Sequence, residues 1–309
     1  MNQQPLNTPL TQIQLLKLCD TAITAAKAAG DYISHFDRSQ LKIEHKDSGS
    51  SLASQVVTEV DRCCDQLIRS ILEASCKHYG LALLSEESSD THLQQETNRF
   101  TQDYFWCIDP LDGSLPFIQN KPGYAVSIAL VSRAGEALIG VVYDPSKQEL
   151  IHAIKGLGTY INKQAFSIGS VIEKSLKTLS VFADLSFKSE ASYHKTRSAL
   201  NQLAIELNLE GINEIYGNGA VKNACALLSS RPACYIKQIK TSEGGGSLWD
   251  FAASSCIIKE AGGWVSDING QPLELNRSDS TYMGHKGVLY ASSEPLARAM
   301  LAKLELHTA

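Results

Sequence analysis

Trp106-Cys107-Ile108-Asp109-Pro110-Leu111-Asp112-Gly113-Ser114 joins a strongly apolar run, Tyr104 to Ile108, to two carboxylates three residues apart. The run reads as a buried β-strand that ends at Asp109. Proline fixes φ and removes an N–H, so the spacing predicts that the chain turns between Asp109 and Asp112. In such a turn both side chains, and a carbonyl between them, converge on one point and suit a hard cation such as magnesium. Gly113 and Ser114 then open a helix whose free N–H groups face the same point, an arrangement suited to phosphate. An acidic turn by itself is usually a solvated loop. Its position directly after a buried strand is what favours a site.

Working outward, apolar residues at helical spacing (Leu15, Leu16, Cys19, Ile23, Ala26, Ile33) predict a helix from about Thr11 to Phe36. Residues 46–55 read as a polar, flexible loop that can reach over the site as a lid. Val56 to Asp61 is expected to open a second helix running to about Cys76, with Thr58 and Asp61 spaced as a capping box. Leu81–Leu84 reads as a short buried strand, followed by Glu86 and Glu87 and a polar excursion over 88–102. Residues 124–131, 137–143, 149–154 and 158–161 predict an antiparallel meander. A linker near 165–177 leads to a strand at 178–182 and to helices near 190–207, 219–229, 248–261 and 294–305. The organisation expected is an α+β domain over 1–176 and an α/β domain over 177–309.

Three further acids stand where buried elements begin or end. Glu86 follows an apolar strand, Asp61 lies in the first turn of a helix, and Asp250 opens the apolar run Phe251 to Ile258 after the glycines 244–246. Each has a bland role to hand: a solvated loop, a cap, a favourable charge at a helix N-terminus. Brought together, such carboxylates repel, and bound divalent cations are the simple way to stabilise them.

Bulk composition bounds the rest. Of 309 residues 43% are hydrophobic and the formal charge is −5. That balance fits a globular chain and argues against a nucleic-acid partner, which demands clustered Lys and Arg. No run of 18 apolar residues predicts a membrane span, and no basic-then-apolar leader is seen at the N-terminus. Eight scattered cysteines without a CxxC pair predict neither disulfides nor a zinc site, and point to a reducing cytoplasm.

The set Val57-Thr-Glu-Val-Asp61, Ser85-Glu-Glu87, Asp109-Pro-Leu-Asp-Gly-Ser114 and Trp249-Asp-Phe-Ala-Ala253 resembles the inositol monophosphatase superfamily, in its motif order and over roughly residues 10–305. The resemblance implies a layered αβαβα sandwich and a Mg2+-dependent phosphomonoesterase acting on a small phosphorylated substrate. Glu86, Asp109, the Leu111 carbonyl, Asp112 and Asp250 fall on metal-ligand positions. Asp61 and Ser114 fall on the pair that orients the attacking water, Glu86 beside them, and Gly113 and Ser114 on the amides that hold phosphate. Lithium inhibition and a homodimer are implied in the same way. The superfamily usually has Thr where Ser114 stands, and a polar pair where Leu115-Pro116 stands.

The leaving group is less legible. Gly217-Asn-Gly-Ala-Val-Lys222 resembles the substrate-binding turn, making Asn218, Gly219 and Ala220 candidate contacts. Lys222 is expected either to face a second phosphate or to be solvated. Glu243, seven residues before Asp250, has the spacing of a hydroxyl-binding glutamate in the inositol-specific branch. The alternatives are a 3′(2′),5′-bisphosphate nucleotidase and a non-catalytic metal-binding regulator of the same fold.

Overall fold

The computed structural model describes residues 9–40, 43–45, 56–87, 98–170, 177–240 and 244–305. The expected 46–55 lid, most of the 88–102 excursion and Glu243 lie outside them, as does the Thr58 side chain. The chain runs α1 (Gln12–His35), β1 (Ile43–His45), β2 (Val56–Thr58), α2 (Glu59–Tyr79), β3 (Ala82–Ser85), β4 (Tyr104–Asp112) and α3 (Ser114–Ile118). A meander follows: β5 (Ala125–Ser132), β6 (Ala137–Asp144), β7 (Glu149–Ile154), β8 (Gly158–Ile161) and β9 (Gln164–Phe166). The second half comprises β10 (Leu179–Phe182), α4 (Tyr193–Glu206), β11 (Ile212–Ile215), α5 (Ala220–Cys225), β12 (Ala233–Lys237), α6 (Leu248–Glu260), β13 (Trp264–Ser266), β14 (Val288–Ala291) and α7 (Glu294–Glu305).

These elements stack in five layers. Strands β3 to β9 form one sheet in chain order, parallel at β3–β4 and antiparallel from there on. The second sheet has the order β11-β10-β12-β14-β13, parallel at its first three strands and antiparallel at β14 and β13. Period-two alternation divides the side chains between cores. On β4, Trp106 and Ile108 pack with α1 and α2 in an outer core. Phe105 and Cys107 face a middle core shared with α5, α6 and the inner face of the second sheet. The outer face of that sheet packs against α4 and α7. The expected αβαβα sandwich is thus the observed fold, and its middle core draws on residues from both sides of position 176.

Burying Trp106 stabilises the outer core by on the order of 4 kcal/mol at about 25 cal/mol per Å2. Its indole N–H is satisfied by Ser75 Oγ of α2 at 3.0 Å. A Cβ at Gly140 would meet the Ala253 carbonyl at 2.2 Å, so glycine there lets α6 lie close against the first sheet. All eight cysteines are free thiols. Among the described residues no helix is long and apolar enough to cross a membrane.

Two expectations need correction. Val56–Thr58 does not open the second helix. Three β-branched residues favour extended backbone, and the segment pairs antiparallel with β1, so the helix starts at Glu59. Nor does the chain turn at Asp109: β4 runs on to Asp112 through a bulge. Asp109 pairs with Ser127 and Asp112 with Ala125, so three steps on β4 match two on β5. Pro110, which has no N–H to give a ladder, sits where the pairing lapses.

Candidate active site

The bulge decides the geometry. In a regular strand, residues three apart point to opposite faces. The extra residue resets the alternation, so Asp112 joins Asp109 on the face toward α5 and α6. Both are buried, at 1% and 5% exposure. Asp250, third residue of α6, comes from the other side; its Oδ2 accepts the Ser247 N–H at 2.8 Å across the first helical turn. Asp109, Asp112 and Asp250 each offer an oxygen, and these atoms lie within 4.8 Å of one another. Glu86 is delivered by β3. Ser85 pairs in parallel with Ile108, and the Glu86 N–H donates to the Ile108 carbonyl at 3.1 Å, setting the residue beside Asp109.

The electrostatics follow from this packing. Burial, reinforced by the charges of Glu86, Asp112, Asp250 and Asp61, holds the Asp109 carboxyl well above its usual range. Burial and the Asp250 charge do the same for Asp112, against the Val221 N–H. Asp250 is pushed up to about 6, by burial first, although Lys237 pulls it down. A cluster of oxygen donors that resists ionising alone fits a hard divalent cation, which would relieve both the repulsion and the desolvation.

Ser114 is the first residue of α3. Gly113 before it has φ +85°, a backbone region that favours glycine, and a Cβ there would meet the Gly123 carbonyl at 2.7 Å. Ser114 Oγ donates to Asp61 Oδ1 at 2.8 Å and lies 3.2 Å from the Leu111 carbonyl. Asp61 is buried in the first turn of α2, so the two expected partners meet across 53 residues of sequence.

The residues of the expected substrate turn also converge here. Asn218, Gly219 and Ala220 line the same cavity of about 620 Å3 as Glu86, Asp109, Leu111, Asp112, Gly113, Ser114 and Asp250. Asp112 Oδ1 accepts the Ala220 N–H at 2.9 Å and Oδ2 the Val221 N–H at 3.0 Å, tying the acid to the start of α5. Leu115 and Pro116, where the superfamily usually has a polar pair, form part of the wall.

Lys222 is neither solvated nor in the cavity. Its Nζ is buried 2.7 Å from Asp144 Oδ2 and 3.5 Å from Glu149 Oε1, because α5 packs that face against the first sheet. Among the described residues, the cations that line the cavity are Lys237 and Lys240, which sequence reasoning passed over. Lys237 Nζ is 2.8 Å from Asp184 Oδ2, and Lys240 Nζ is 3.6 Å from Glu190 Oε1. Asp184 and Lys237 follow or end apolar strands, the same signal that singled out Asp109, so both were within reach of that rule.

The family model described as "Inositol monophosphatase family" matches residues 14–308, and the chain belongs to that family. Among curated relatives it is 30% identical over 261 residues to "Inositol monophosphatase 2" of Solanum lycopersicum, covering 83% of this chain and 89% of that one. It is 28% identical over 268 residues to "3'(2'),5'-bisphosphate nucleotidase CysQ" of Aggregatibacter actinomycetemcomitans, covering 85% and 89%. The crystal structure of extragenic suppressor protein suhB from Bartonella henselae shares the fold, with a TM-score of 0.66 and 22% identity over 92% of this chain and 98% of that one.

Proposed function

We propose that the chain is a magnesium-dependent phosphomonoesterase that hydrolyses a small phosphate ester with water as nucleophile, in the manner of an inositol monophosphatase. The observation that carries this reading is the convergence of Asp109, Asp112 and Asp250 within 4.8 Å beside the hydrogen-bonded Ser114–Asp61 pair. Family membership supports it. Asp109, Asp112, Asp250, Glu86 and the Leu111 carbonyl would hold the metal. When bound, magnesium supplies Lewis acidity, making water acidic and offsetting charge on the phosphate and leaving oxygens.

The chain's own residues do the rest. Ser114 Oγ directs its proton to Asp61 Oδ1, which turns its lone pairs toward an incoming water. Water thereby donates to Ser114, is aligned for in-line attack, and passes its proton into the Ser114–Asp61 pair. The Gly113 and Ser114 amides hold the phosphate. Residues 1–176 then carry most of the metal site, and 177–309 contribute Asp250 and select the leaving alcohol. A cytoplasmic homodimer inhibited by lithium accompanies this reading by family resemblance.

The second reading, a 3′(2′),5′-bisphosphate nucleotidase, is favoured by the similarity to the CysQ relative. A non-catalytic regulator is disfavoured by retention of every acid in the set. The test is phosphate release from inositol 1-phosphate, adenosine 3′,5′-bisphosphate and fructose 1,6-bisphosphate with magnesium. Turnover of at least one ester is expected, and it should be abolished in folded Asp112→Asn and Asp250→Asn proteins. Near-wild-type turnover by either variant at saturating magnesium sinks the metal assignment.

A further inference from the structure

Helix α5, six residues long, lies in the middle core, and two consecutive side chains tie it to the two sheets. Toward the first sheet, Lys222 Nζ pairs with Asp144 Oδ2 at the end of β6 at 2.7 Å, and Glu149 Oε1 at the start of β7 is 3.5 Å away. Toward the second sheet, Asn223 is fully buried and donates from Nδ2 to Asp184 Oδ1, just beyond β10, at 3.2 Å. The two residues before them supply the Ala220 and Val221 amides that hold both oxygens of Asp112. Amides of a first helical turn have no partner inside their own helix. Where α5 sits therefore decides where these amides point, and with them Asp112.

A buried ion pair is an unfavourable way to hold a helix if stability alone is at stake. Asp144 is 1% exposed, and among the described residues its Oδ2 makes no hydrogen bond apart from this ion pair. Apolar groups of similar volume would hold α5 as firmly. What opposite charges add is register, because an apolar face tolerates sliding and a buried charge separated from its partner does not. The Asp144 end is itself fixed. Its Oδ1 accepts the Ser146 N–H at 2.9 Å, the Ser146 hydroxyl at 2.6 Å and the Lys147 N–H at 3.2 Å, which anchors it in the turn after β6.

We infer that Asp144 and Lys222, which lie outside the cavity, are positioning residues for the metal site. Their ion pair sets α5 in the register at which its first two amides orient Asp112. Neither side chain touches the metal or the ester; the effect passes through the backbone of α5. The inference rests on the magnesium reading and adds to it a pair that acts from outside the cavity.

The test is the magnesium dissociation constant, measured by calorimetric titration of metal-free protein with no ester present. The double variant Asp144→Asn/Lys222→Met removes one charge of each sign and keeps the Oδ1 acceptor in the turn, so its Tm should stay close to that of the wild type. Its Kd should nonetheless rise about tenfold, the scale for groups that orient a metal ligand. Gly219→Ala disturbs the amide contact directly, so adding it to the double variant should raise Kd little further, whereas independent effects would multiply. If the double variant does not fold, Asp144→Asn alone decides the matter. It is isosteric, leaves Glu149 facing Lys222, and should raise Kd in the same direction. An unchanged Kd in the folded variant, or effects that multiply with Gly219→Ala, overturns the inference and leaves the magnesium reading standing. A wild type that binds no magnesium overturns both.

Discussion

Ser114 shows how much one side chain can hold. Its hydroxyl bridges Asp61 on α2 and the bulged end of β4. Ser114→Ala should lower kcat roughly 10²-fold, the scale of a positioned acid–base group. Steady-state kinetics at saturating magnesium checks this, and an unchanged kcat removes Ser114 from the mechanism. Ser114→Thr keeps the oxygen and adds a β-methyl that stiffens χ1, so it should retain activity. Asp109, Asp112 and Asp250 could be singled out in the sequence because each stands at the edge of an apolar run, whereas the pairing of Ser114 with Asp61 was implied by the family resemblance. Lys222 could not be placed in this way. Its helix presents it to Asp144 rather than to the cavity, and helical periodicity says which residues share a face without saying what that face meets.

At the scale of elements, the bulge in β4 and the start of α5 act together. The bulge turns Asp112 onto the same face as Asp109, and the Ala220 and Val221 amides then hold both its oxygens. Gly219 makes this contact possible, since a Cβ there would lie 2.3 Å from Asp112 Oδ2. Gly219→Ala must displace either the acid or the helix start. Magnesium affinity should therefore fall about tenfold or more, as for other groups that orient a metal ligand. A magnesium titration checks the prediction, and an unaltered dissociation constant shows that Asp112 is not oriented by α5. Proline between two acids foretold that regular pairing would fail here. That the failure would be a bulge rather than a turn depended on β5, whose ladder continues past it to Ala125.

At the scale of the molecule, the site lies between the layers, and its acids are part of the stability of the fold. Burial raises Asp109 and Asp112 well above the usual carboxylate range and Asp250 to about 6. The folded, metal-free protein thus binds more protons than the unfolded chain between about pH 4 and pH 6. These groups' contribution is complete below their unfolded pKa values and is lost as pH rises through the folded ones. Metal-free protein should lose Tm from pH 4.5 to 7 by a larger margin than Asp250→Asn does. Magnesium should restore it at pH 7, by about 2.7 kcal/mol at a concentration 100 times its Kd, and restore less at pH 5. Equal pH profiles for wild type and variant would contradict the burial of Asp250 among the other acids. Apolar periodicity and the acids at the ends of apolar runs were enough to expect an α+β half followed by an α/β half and to single out those acids, since both are local patterns of residue type; the layered sandwich and the gathering of the acids about a metal were what the family resemblance implied. Which acids face one another and which lysines line the cavity were settled only by tertiary packing. Those relations join residues tens to hundreds of positions apart, and they depend on how two sheets and the helices between them are stacked.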